Sequence, residues 1–227
     1  MFAQLAQTTR TARIAAGLAT AAVLSVSLAA CGTSSTDSAS ASSSTPTVAK
    51  PVASIDALSG KSTAVKLDKG FTDALASLKL TPGVVGTAKL TAGSLVFPIT
   101  GGNVTYFKPG TASPYVVGQI QHEGSGLSLA AGGTKVELTN LNVDPTVSRV
   151  YGDVTVNGKV AATSAYLFKL DGRTLKPLKT VGTTAILQGT KVEISDVAAP
   201  VLNKVFKTDA VKPGLLVGIA KITVNTK

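Results

Sequence analysis

Between residues 86 and 172 the chain is cut at short, regular intervals by glycine-containing turn signals. Gly101-Gly102-Asn103, Gly124-Ser125-Gly126, Gly132-Gly133, Asn157-Gly158 and Asp171-Gly172 each follow a short apolar or alternating run. Side chains on a strand alternate between two faces, so a run such as Val150 to Asn157 (VYGDVTVN) suits a half-buried strand. Asn-Gly after it is the residue pair that a two-residue hairpin favours. Further strands are expected at 64–67, 86–90, 94–99, 104–107, 116–122, 127–130, 135–138 and 165–170. Such spacing predicts a mainly β chain: one antiparallel sandwich or barrel-like domain.

Two segments depart from that rhythm. Phe71, Leu75 and Leu78 recur at helical spacing, so residues 70–79 are expected to form a short amphipathic helix capped by Asp68. Val201, Leu202, Val205 and Phe206 do the same after Pro200, which a first helical turn tolerates, with Asp196 as the expected cap. Both helices sit in matching stretches. Pro82-Gly83 corresponds to Pro213-Gly214, and Gly86–Thr91 (GTAKLT) to Gly218–Thr223 (GIAKIT). The expectation is a pseudo-repeated β-α-β unit at each end of the domain, with the β-meander of residues 94–170 between.

The N-terminus reads as an address. Arg10 and Arg13 precede an apolar run from Ile14 to Ser27, and Leu28-Ala29-Ala30-Cys31 follows. The run is shorter than the roughly 20 residues that span a bilayer. Residues 1–30 therefore read as a lipoprotein signal peptide, with Leu28, Ala29 and Ala30 as lipobox and Cys31 as the lipidated residue. Residues 31–59 are rich in Ser, Thr and Ala, and such a stretch cannot bury enough apolar surface to offset its chain entropy. A tether of that length reaches roughly 30 Å. Residues 60–227 are left as the extracytoplasmic domain, held by the lipid at the outer side of the cell membrane.

Composition narrows the chemistry. One Cys and one His exclude an internal disulfide and any multi-histidine or Cys-rich metal site. The chain has no Trp and 4% aromatic residues, which removes the stacking platforms of single-stranded nucleic-acid binders. Its net charge of +10 comes from scattered lysines, which suits a solvated surface or weak attraction to acidic envelope polymers, and nucleic acid is not an expected partner. No phosphate loop, Ca²⁺ loop or nucleophile turn is present in the sequence. His122 is the single candidate base, and Glu123 beside it must point to the opposite strand face. No catalytic residues and no metal are assigned. If a pocket exists, Tyr106, His122 and Tyr151 are the groups expected to line it, since Tyr and His can ligate haem iron.

FPITGGNV (97–104), GQIQHEGSGLSL (118–129), GGTKVELTNLNVD (132–144), GDVTVNG (152–158) and PGLLVGIAKIT (213–223) together resemble a widespread group of secreted and lipoprotein β-domains of bacteria with no assigned activity. More distantly, residues 60–227 resemble the HtaA-type haem-acquisition domain of actinobacterial cell envelopes. That resemblance implies a helix bearing a Phe and then a haem-ligating Tyr, followed by a strand region with a second ligand, His. Phe71 matches the helix Phe, but the Tyr position falls near Leu75 and the His position near Ser125. The resemblance thus carries over architecture without the haem ligands. The expected function is a non-enzymatic binding or structural module of the cell envelope, with a carrier of haem or another apolar ligand as the alternative; a hydrolase, the third reading, would need His122 or two acids to converge in a cleft.

Overall fold

The computed structural model describes residues 49–227. The signal segment, the lipobox, Cys31 and most of the expected tether lie outside the described residues.

Thirteen strands form one antiparallel sheet. In chain order they are β1 (Pro51–Ile55), β2 (Ser62–Leu67), β3 (Thr81–Gly86), β4 (Lys89–Thr91), β5 (Ser94–Pro98), β6 (Gly101–Phe107), β7 (Val116–Ala131), β8 (Thr134–Asp144), β9 (Arg149–Val156), β10 (Lys159–Asp171), β11 (Lys179–Val181), β12 (Thr184–Ile194) and β13 (Leu216–Asn225). Helix α1 (Lys69–Ser77) follows β2, and α2 (Ala198–Phe206) follows β12. The sheet order is β1-β6-β7-β8-β9-β10-β12-β13-β2-β5-β4, with β3 added on β7 and β11 on β12. The path stays open, so the sheet does not close into a barrel. It does curl: Thr63 on β2 lies 2.8 Å from the His122 ring on β7, although five strands separate the two in the sheet.

Alternation drives the curl. Thr63 and Val65 on β2, Leu95 and Phe97 on β5, Ile120 and His122 on β7, and Val150 and Val154 on β9 are buried, while their neighbours are more exposed. One face of these longer strands therefore supplies a common apolar interior, while the short strands β4 and β11 are exposed throughout. Both helices bury a stripe against the sheet. Phe71 and Leu75 of α1 are buried, and Asp68 accepts from the Gly70 N–H at 2.8 Å, the expected cap. In α2 the cap differs from expectation. Ser195 Oγ, not Asp196, accepts from the Ala198 N–H at 2.9 Å and donates to the Tyr166 carbonyl at 2.8 Å. The serine is fully buried, so one hydroxyl serves both the helix end and the strand beneath it.

Three sequence expectations change. The folded part begins earlier than residue 60: Pro51–Ile55 pairs with β6, and Leu58 is buried in the core. Gly124-Ser125-Gly126 is no turn, because β7 runs through it and widens by a bulge between His122 and Gly126. Pro82-Gly83 lies inside β3, an edge strand where the missing proline N–H is tolerated, whereas Pro213-Gly214 forms a turn before β13. The two halves of the repeat thus part after their helices. The second half returns beside its own first strand, β13 on β12, while in the first half the matching residues 86–91 end β3 on β7 and form β4 on β5.

Candidate functional site

The central strands β7 to β10 carry two different surfaces. Their inner face lines an apolar cavity of about 200 Å³. Val65, Phe97, Ile120, Val150, Phe168 and Ala220 are among its walls, and Pro114, Tyr115, Pro145 and Leu175 come from loops at one end of the sheet. Tyr106 also lines it, with its ring edge-on to Tyr115 at 6.1 Å. Burial of Tyr115, with Tyr106 alongside, raises its hydroxyl pKa above the ordinary value.

His122 is the one ionisable nitrogen group on that wall. It is 1% exposed. Its Nδ1 sits 3.1 Å from the Leu141 carbonyl, which can only accept, so Nδ1 carries the proton and Nε2 accepts from the Thr63 hydroxyl at 2.8 Å. Phe97 packs edge-on against the ring at 6.2 Å. Burial pushes His122 down to about 4, and the backbone hydrogen bonds at Leu141 and Ile120 oppose that shift only in part. At neutral pH the ring is uncharged and both nitrogens are engaged. It pins β2 to β7 across the interior, where an unpaired polar group would be costly. Ser125, also fully buried, donates to the His122 backbone carbonyl at 3.0 Å and does not meet the ring. Glu123 is exposed on the opposite face, as alternation requires.

The three residues expected to share a pocket are therefore split. Tyr106 and His122 face the cavity. Tyr151 stands on the outer face of β9, beside Tyr166 with ring centroids 6.1 Å apart. Thr63 and Tyr115 belong to the cavity and were not singled out from sequence. Thr63 is 59 residues from its histidine, and no local pattern marks such a pair.

The outer face holds a polar groove. Three ladders are interrupted at the same level: between His122 and Gly126 of β7, Thr139 and Asn142 of β8, and Ala162 and Ala165 of β10. A hydrogen-bonded chain crosses there. The Gly124 N–H donates to Asn140 Oδ1 at 3.0 Å, Asn140 Nδ2 to Asp153 Oδ2 at 2.8 Å, and the Ser164 N–H to Asp153 Oδ1 at 3.0 Å. These donors hold the Asp153 carboxyl below its usual value. The floor needs Gly152. A Cβ there would stand 2.8 Å from Leu167 and 2.9 Å from Leu141.

Haem fits this residue set poorly. Leu75 is a buried core residue of α1 and Ser125 is sealed beneath the β7 bulge, so neither position implied by the resemblance offers an iron ligand. His122 has no free nitrogen. Among the described residues no group of three His, Cys, Asp or Glu side chains could hold a metal ion, and no helix is long and apolar enough to cross a membrane.

No protein-family model matches the chain, and no curated protein matches it significantly. Solved structures do. The C-terminal domain of HtaA from Corynebacterium glutamicum superposes with a TM-score of 0.52 at 12% identity, over 74% of this chain and 98% of that one. A domain-swapped dimer of a variant of the same domain gives 0.46 at 13% identity, over 69% of this chain and 90% of that one. At such identity the likeness is one of fold: the chain shares the architecture of the HtaA C-terminal domain.

Proposed function

We propose that this chain is a non-enzymatic binding module of the bacterial cell envelope that holds a slim apolar ligand inside its curled sheet. Residues 1–30 direct export, Cys31 carries the lipid, and the Ser/Thr-rich tether presents the domain on the extracytoplasmic side of the membrane. The apolar cavity of about 200 Å³ carries the reading. An apolar cavity of about 150 Å³ stays dry and takes a benzene-sized guest, so this one suits a short acyl chain or a small ring. Ligand burial would be favoured by roughly 25 cal/mol for each Å² of apolar surface removed from water. Thr63 and His122 already satisfy each other, so the walls ask little polar chemistry of the guest.

Haem is the alternative ligand. The fold likeness and the sequence resemblance support it, while the cavity size and the engaged His122 favour a slimmer guest. Calorimetric titration of the purified full chain with decanoate, and separately with haem followed by its Soret band, distinguishes the two. The expected result is one-to-one decanoate binding that Ala220→Phe abolishes, with no Soret shift. Stoichiometric haem binding that survives Ala220→Phe, or no binding of either ligand, overturns the apolar-cavity reading.

A further inference from the structure

The outer groove crosses four strands, and one of its banks, Gln121, Asn142 and Tyr151, belongs to a register row that Tyr166 extends beyond it. Gln121 on β7 pairs with Asn142 on β8, Asn142 with Tyr151 on β9, and Tyr151 with Tyr166 on β10. Successive strands lie about 4.8 Å apart, so the row is roughly 14 Å long. Glu123, Asn140, Asp153 and Ser164 form the other bank. The space between is about 590 Å³, within the range of ligand sites and larger than the interior cavity.

The two banks differ in what they have left to offer. On the second, Asn140 and Asp153 are consumed by the chain that holds the bulges. On the first, Asn142 Nδ2 donates only a long 3.4 Å bond to Gln119, and Asn142 Oδ1 is buried without any partner. It is the one such side-chain atom among the described residues. A buried acceptor left open in an otherwise satisfied region requires an explanation, and a ligand hydroxyl supplies one. Beside it Tyr151 and Tyr166 present rings tilted at 47° to each other, with the Arg149 guanidinium 4.5 Å above the Tyr166 ring.

We infer that this groove binds a neutral glycan. Planar amides offer a donor and an acceptor at a spacing that adjacent sugar hydroxyls match. The Tyr151 ring can cover the apolar face of a sugar ring, with Tyr166, under the Arg149 guanidinium, packed behind it. A row across strands suits a linear polymer lying over several of them. The carboxylates Glu123 and Asp153 on the far bank disfavour polyanions such as nucleic acid. A protein partner would want an apolar centre, which these amides do not provide. The site lies on the opposite face from the cavity, so it stands whether or not the interior takes a ligand.

Co-sedimentation of the purified full chain with cellulose, chitin and cross-linked dextran tests this. The expected result is depletion of the protein by at least one of the three. Asn142→Ala and Tyr151→Ala should each weaken retention by more than about tenfold, while Tyr151→Phe, which keeps the ring, binds nearly as well as wild type. Ala220→Phe, on the inner face, should bind unchanged. Urea midpoints verify folding, and Gln121→Ala replaces any variant that fails to fold. Wild type left in solution with all three glycans, or full retention of the folded Asn142 and Tyr151 variants, overturns the assignment.

Discussion

The inner and outer faces of β7–β10 are made by the same backbones, one residue out of step. Inward go Ile120, His122, Leu141, Val143, Val150 and Phe168; outward go Gln121, Asn142 and Tyr151. Inside, the polar atoms of His122 and Thr63 close on each other, so the interior is electrically quiet and its open feature is space. Outside, Asn140 and Asp153 are paired, and Asn142 Oδ1 is left open. Empty volume marks a site on the apolar face, and unspent hydrogen-bonding capacity marks one on the polar face.

The largest effect on that contrast should come from His122→Ala. The change deletes a fully buried ring and strands the Thr63 hydroxyl and the Leu141 carbonyl, at a cost of about 3–5 kcal/mol in urea unfolding. A loss under about 1 kcal/mol would mean that the ring does not organise the inner face.

Acid should act on the same residue. His122 titrates at about 4 when folded and at about 6.5 when unfolded, so in that window the unfolded chain binds more protons. Stability is then full above pH ~6.5 and falls by up to about 3 kcal/mol as pH drops toward 4. Asp153 is also depressed, but its contribution is lost only as pH falls below the ordinary carboxylate range. Unfolding in His122→Gln should therefore be nearly flat between pH 6.5 and 5. A slope equal to wild type there would assign the effect elsewhere.

On the outer face Asp153→Ala removes the acceptor for both Asn140 Nδ2 and the Ser164 N–H. The expected cost is about 1–2 kcal/mol, below that of His122→Ala because water can reach the stranded donors. Equal losses at the two sites would erase the distinction between the faces. The smallest change is expected for Ala220→Phe. A ring added to a packed core costs about 1–3 kcal/mol, but here it enters open space, so the unfolding free energy in urea should change by less than about 1 kcal/mol. A larger loss would mean that the cavity is already filled by its own walls.

Much of the architecture was legible in the sequence because turns and alternation are local. Asn157-Gly158 makes its hairpin between β9 and β10, and Asp68 caps α1. Glycine was the ambiguous letter. Gly124-Ser125-Gly126 reads equally as a turn or as a bulge, and only the pairing of β7 with β3 and β8 decides. Proline misled for a related reason, since Pro82 sits on an edge strand that sequence cannot tell from a turn. The repeat was real in letters but not in pairing, because β13 returns to its unit's first strand β12, whereas its counterpart β4 pairs with β5. The sites were less legible. Tyr106, His122 and Tyr151 were grouped by chemistry, and alternation separates Tyr151 from the other two. The row Gln121–Asn142–Tyr151–Tyr166 becomes visible only when four strands are set in register, and each bulge shifts that register.

The most direct test of the central claim is native mass spectrometry of the chain purified from its native host. The account predicts a one-to-one non-covalent adduct, beyond any covalent modification of the chain, that is absent from Ala220→Phe. A chain with no such adduct, or an adduct that Ala220→Phe retains, would contradict a ligand in the interior of the sheet.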